Sequence, residues 1–191
     1  MRLPALLLAL LAAAAGCAQT GAPPAPSGTA GSASAGPSAN PNLALSASGD
    51  FAPDATQAIV YDRKLAPEGA RASLLVESEL EAGKTRSSLV VEGFLPGRTY
   101  GAHLHANPCG AEPDDSGPHY QNKPGKVTAK NEVWLDFTTD GTGSANASAR
   151  NPWLLTSERL PRSLVIHAER TKAKKPDRGA AGPRVACLTL G

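Results

Sequence analysis

From residue 43 to residue 191 no stretch of this chain sustains a helical period, and the apolar runs are short and rich in Val, Leu and Thr. This pattern limits the fold more than any other feature. Strands bury one face with a period of two, whereas helices need an apolar stripe repeating every 3.6 residues. Candidate strands are 56–63, 71–80, 86–93, 99–106, 132–139, 143–149, 162–168 and 183–190. Turn signals separate several of them: Ala82-Gly83-Lys84, Leu95-Pro96-Gly97 and Asp140-Gly141. Many short strands with Gly/Pro punctuation predict an all-β domain over 43–191, either a β-sandwich or a flattened barrel. Two long segments, 107–131 and 169–182, break the rhythm. Long loops on a compact sandwich usually carry function.

The first 42 residues differ in kind. Residues 1–17, MRLPALLLALLAAAAGC, place Arg2 before an apolar run too short to span a bilayer, the pattern of a secretory signal. Its end, Ala14-Ala15-Gly16-Cys17, resembles a bacterial lipobox, in which the cysteine thiol receives diacylglycerol. The plainer alternative is a signal peptide cut after a small residue. Lipid on Cys17 would tie the exported protein to the outer face of a bacterial cytoplasmic membrane, or hold it in the periplasm, without a spanning helix. Residues 18–42 contain 22 Ala, Gly, Pro, Ser or Thr among 25, and no charge occurs between Arg2 and Asp50. Such a segment buries too little apolar surface to fold and reads as a flexible tether. Charge is nearly balanced, with 19 Lys+Arg against 17 Asp+Glu, and aromatics are 4%. Neither figure suits a nucleic-acid partner. Nothing in the sequence marks a dimer face.

The chain has four histidines: His103, His105, His119 and His167. His103 and His105 form H-L-H inside a candidate strand, so both rings point to one face while Leu104 packs on the other. His119 lies in the first long segment. His167 ends the run Leu164-Val165-Ile166 just before the second. A lone H-x-H is a weak metal signal, and histidine is often an ordinary core or surface residue. Here every histidine falls in or beside a long loop, and neutral imidazole is a common ligand of copper and zinc.

Four ordered segments then resemble the copper/zinc superoxide dismutase family: Phe94–His105 (FLPGRTYGAHLH), Cys109 with Gly117-Pro118-His119-Tyr120, Arg162–His167 (RSLVIH), and Gly182–Gly191 (GPRVACLTLG). The resemblance covers most of 50–191. It implies a Greek-key β-sandwich or flattened eight-stranded barrel with two long functional loops. Residue by residue, it makes His103, His105, His119 and His167 copper ligands and His119 also the carrier of a proton. It makes Arg184 the cation that attracts and orients the superoxide anion, and Cys109–Cys187 a disulfide. The implied activity is copper-dependent dismutation of superoxide. A copper-binding or copper-delivering lipoprotein without turnover is the alternative, and it would not need Arg184.

The sequence also departs from the family. Zinc-binding members use the bridging histidine, two further histidines and an aspartate. All four histidines here are already assigned, and Gln121–Asn131 is short and Lys-rich. Zinc is therefore not expected, which resembles the zinc-lacking, copper-only bacterial lipoprotein branch. The far nitrogen of His119 then needs another partner, such as water. Glu112, Asp114 and Asp115 read as a solvated acidic turn. The segment 169–178 holds five cations and two acids, a modest guide for an anion.

Overall fold

The computed structural model describes residues 43–191. The signal peptide expected over 1–17, lipidation at Cys17 and the tether over 18–42 lie outside the described residues. Nine strands follow in order: β1 (Ala44–Asp50), β2 (Ala58–Val60), β3 (Arg71–Glu79), β4 (Lys84–Glu92), β5 (Thr99–His105), β6 (Phe137–Thr138), β7 (Ala145–Asn151), β8 (Ser163–His167) and β9 (Arg184–Thr189). They form a four-stranded sheet, β1-β3-β4-β7, and a five-stranded sheet, β2-β9-β8-β5-β6, and every strand pair is antiparallel. Neither sheet closes into a barrel among the described residues, so the architecture is that of a β-sandwich. Each of the eight candidate strands overlaps an observed one. The ninth, β1, has mostly small residues, and its alternation of Leu45 and Ala47 inward with Ser46 and Ser48 outward is weak in hydropathy.

Period-two burial builds the core. In β3, Ala72, Leu74 and Val76 point inward, and the register sets Leu74 opposite Leu89 and Ala72 opposite Val91 of β4. The facing sheet contributes Ala102, Leu104, Leu164, Ile166, Ala186 and Leu188 to the same cluster. Successive side chains on a strand alternate faces, so the residues between these lie on the other side of the five-stranded sheet. Those residues are His103, His105, Val165 and Cys187. Pairing aligns His103 with Val165, His105 with Ser163, and Val165 with Cys187.

That second face is not left to water. The connections 106–136 and 168–183 fold over it, and His103, His105, Val165 and Cys187 are fully buried. Gly101, opposite His167, lets the second connection pass close to the sheet. A Cβ there would lie 2.6 Å from the Glu169 carbonyl oxygen and 2.7 Å from Ala181 Cβ. The first connection is tied down at Asn131, whose side chain bonds the backbone of Lys123 and Lys126, and at Asn151, which donates to the carbonyls of Ala129 and Glu132. The sandwich thus has an apolar core between its sheets and a polar, loop-covered chamber outside one of them.

Candidate metal centre

All four histidines meet in that chamber. One nitrogen from each of His103, His105, His119 and His167 lies within 4.8 Å of the others. The H-L-H alternation places His103 and His105. A register irregularity between Ile166 and His167 at the β8–β9 pairing brings His167 opposite Arg184, a common device for re-aiming a side chain. His119 arrives on the first connection and bridges to His105 backbone-to-backbone.

Each ring has one nitrogen fixed from behind. His105 Nδ1–H donates to the Gly117 carbonyl at 2.9 Å, and His167 Nδ1–H to the Gly182 carbonyl at 3.2 Å. His119 Nδ1–H donates to Glu132 Oε2 at 3.0 Å. The Thr171 hydroxyl donates to Asp136 Oδ1 at 2.5 Å, so its oxygen accepts from His103 Nε2–H at 2.6 Å. These bonds assign the tautomers. The free nitrogens are His103 Nδ1 and Nε2 of the other three. His103 Nδ1 is buried without a partner, and His105 Nε2 faces His167 Nε2 at 3.4 Å. Two lone pairs aimed at each other and an orphaned buried acceptor are unfavourable as they stand, and a cation between the rings relieves both. Four neutral imidazoles suit copper, and each has the hydrogen-bonded back partner typical of ligating histidine.

The electrostatics keep His103, His105 and His167 neutral, as ligation requires. Burial, with neighbouring rings adding to it, pushes the His103 imidazole far below its ordinary value. Burial takes His105 to about 2 and His167 to about 4. Burial also works against the charge on Glu132, but hydrogen bonds from His119, Trp134 and Gln121 outweigh it and hold the carboxyl below its usual range.

A family model for copper/zinc superoxide dismutase (SODC) matches residues 72–189, more than half of the sequence. This chain belongs to the copper/zinc superoxide dismutase family. Among solved structures, Cu/Zn superoxide dismutase from Brucella abortus aligns with a TM-score of 0.53 at 18% identity, covering 79% of this chain and 100% of that one. The clock protein EA4 aligns with a TM-score of 0.53 at 19% identity, covering 78% and 92%. These likenesses speak to the fold. No curated protein matches the sequence significantly. Family membership and the four-histidine cluster together support a redox, antioxidant role with copper as the fitting metal.

Other residues singled out by the family resemblance also lie at this centre. Cys109 and Cys187 are joined by a disulfide, which pins the first connection to β9. Arg184 is half-buried and directs its guanidinium at that connection: Nη1 donates to the Pro113 carbonyl at 2.9 Å and Ser116 Oγ at 2.6 Å, and Nη2 to the Gly117 carbonyl at 2.9 Å. The Gly117 oxygen therefore accepts from both Arg184 and the His105 ring. The acidic turn is solvent-exposed, as expected. Asp115 and Glu112 cap the single 3-10 turn Pro113–Ser116, and Asp114 lies 3.6 Å from Arg184 Nε.

Three functional residues escaped the sequence reading. Glu132, 1% exposed, is the partner of His119 Nδ1, where a water had been the expected one. It also accepts from Trp134 Nε1 at 2.8 Å and Gln121 Nε2 at 2.7 Å. Thr171 and Asp136 hold His103, and the Thr171 amide donates to Asp136 Oδ2 as well. A carboxylate within a run otherwise reading as a strand, at 132 and again at 136, was the available signal.

Proposed function

We propose that this chain is a copper-dependent superoxide dismutase that works at the cell envelope. It would convert two superoxide anions and two protons to dioxygen and hydrogen peroxide. The observation that carries this reading is the convergence of four ring nitrogens, every one with its opposite nitrogen already tied to a hydrogen-bond acceptor. His103, His105, His119 and His167 would hold copper. Bound copper supplies the one-electron chemistry that lets one superoxide be oxidised and another reduced.

The chain's own groups supply the rest. Arg184 presents a positive charge that the buried site otherwise lacks, and its bonds to Pro113, Ser116 and Gly117 fix it in place. It attracts and orients the anion, and the cations of 169–178 add a weaker pull that salt screens. Glu132 holds the proton on His119 Nδ1 and so keeps Nε2 free. In zinc-binding members of the family the nitrogen turned away from copper, here Nδ1, would face zinc. Here Glu132 accepts from that Nδ1–H and also from Trp134 and Gln121, which supports a copper-only site with zinc not expected. The segment 1–17 would export the chain, lipid on Cys17 would anchor it, and 18–42 would hold the 43–191 domain off the membrane.

The test is a copper titration followed by a superoxide assay. The proposal expects one copper per chain, lost when any of the four histidines becomes alanine, and superoxide removal over many turnovers. Copper bound at one per chain with no turnover would assign the protein to copper storage or delivery instead.

A further inference from the structure

A second concavity lies beside the histidine cluster, and its apolar walls are used by none of the chemistry above. It measures about 490 Å³, with Pro118, Tyr120, Val127 and Leu160 among its walls and the His119 ring and Glu132 on its lining. Its size falls within the range of pockets for small organic ligands, and its walls are largely hydrocarbon. A neighbouring concavity of about 400 Å³ shares Val127 and Arg178 with it and adds Lys126 and Lys175. Arg178 is steadied by its own loop, Nε donating to the Ala173 carbonyl at 3.0 Å. None of Lys126, Lys175 and Arg178 forms an ion pair among the described residues. The surrounding charge is one-sided. Segments 121–131 and 169–182 hold eight Lys or Arg and two acids, although the whole chain nets only +2. The rest of the chain is therefore net negative, and the excess of cations lies in these two segments, three of them lining the concavities. One of the two acids, Asp177, is already paired with Lys172 at 3.3 Å.

An apolar chamber opening on three unpaired cations matches one kind of molecule. We propose that it binds a small amphipathic organic anion, with a hydrocarbon body against Pro118, Tyr120, Val127 and Leu160 and a phosphate-type head at Lys126, Lys175 and Arg178. Superoxide, with no hydrocarbon body, has no use for the apolar half. A bare inorganic anion would use only the basic half. A flat membrane surface could meet the lysines but could not fill a chamber of molecular size. The site needs no metal and stands independently of the copper reading.

The probe is hexyl phosphate, compared by calorimetry with orthophosphate and with hexanol at constant ionic strength, on the protein as purified. The two half-ligands separate the two halves of the site. Hexyl phosphate is expected to bind at least tenfold more tightly than either. The triple variant K126A/K175A/R178A should lose at least tenfold for hexyl phosphate, and so should Val127→Glu, which places a carboxylate on the shared wall. In wild-type protein, amide shifts induced by hexyl phosphate should cluster at 118–127 and 175–179, a readout that needs no variant to fold. Equal affinities for hexyl phosphate and orthophosphate, or shifts scattered over the surface, would overturn the proposal. So would binding to phosphatidylglycerol vesicles that hexyl phosphate does not displace, because the cations would then belong to a membrane-facing surface.

Discussion

Replacing Glu132 with glutamine tests the account where the sequence was least informative. The carboxylate is 1% exposed and accepts three hydrogen bonds, from His119 at 3.0 Å, Trp134 at 2.8 Å and Gln121 at 2.7 Å. Glutamine keeps the shape but offers one carbonyl oxygen and an NH2 group. If the oxygen serves His119 and Trp134, the NH2 meets the Gln121 NH2; if the amide is flipped, two donors face it. In either orientation at least one buried N–H loses its acceptor, a cost of about 1–3 kcal/mol. Melting temperature should fall by roughly 2–12 °C for a domain of this size. The second effect is on the metal. A neutral acceptor holds the His119 proton less firmly and makes Nε2 a weaker donor to copper. Loss of such a back partner typically weakens metal binding by about 10–100-fold. Competition with a chelator of known affinity, followed by the copper absorption band, reads that change directly. A variant melting several degrees lower while binding copper within twofold of wild type would make Glu132 a packing residue and refute its role behind His119.

Other perturbations have equally definite outcomes. Thr171→Val leaves His103 Nε2–H without an acceptor, and copper affinity should fall by about 10-fold or more with a shifted copper EPR spectrum; Thr171→Ser should restore both. Arg184→Ala should slow superoxide removal by roughly 10–100-fold and flatten its dependence on salt while copper stays bound; an unchanged rate would remove Arg184 from the mechanism. The Cys109–Cys187 bridge closes 78 residues, worth up to about 4.5 kcal/mol in the chain-entropy model. The double alanine variant should therefore melt up to roughly 9–18 °C lower, and a change under 2 °C would contradict the pinning role given to the bridge.

The strands and the histidines were legible because both depend on local periodicity. H-L-H in a strand sends two rings one way whatever surrounds it, and Leu164 and Ile166 declare the core face of the strand that carries His167. β1 was not legible, since Ser and Ala alternating with a single Leu give little contrast. The partners behind the rings were illegible for another reason. Glu132 reaches His119 and Thr171 reaches His103 only through the folding of two loops over one sheet face, and no spacing encodes that approach. The Gly117 carbonyl, shared by His105 and Arg184, is a backbone atom and leaves no trace in residue type. Asp136 lies inside the candidate strand 132–139, whereas regular pairing is confined to Phe137–Thr138. That shortening frees Glu132 and Asp136 to bond with the site.

The most direct test of the central claim is stopped-flow decay of superoxide in the presence of the copper-loaded chain. A copper-dependent dismutase gives a decay rate proportional to protein concentration, persisting over hundreds of equivalents of superoxide per copper. The rate should fall to the metal-free background in His103→Ala, His105→Ala, His119→Ala and His167→Ala. Consumption of a single equivalent per copper, or full turnover surviving the loss of any of these rings, would contradict the claim.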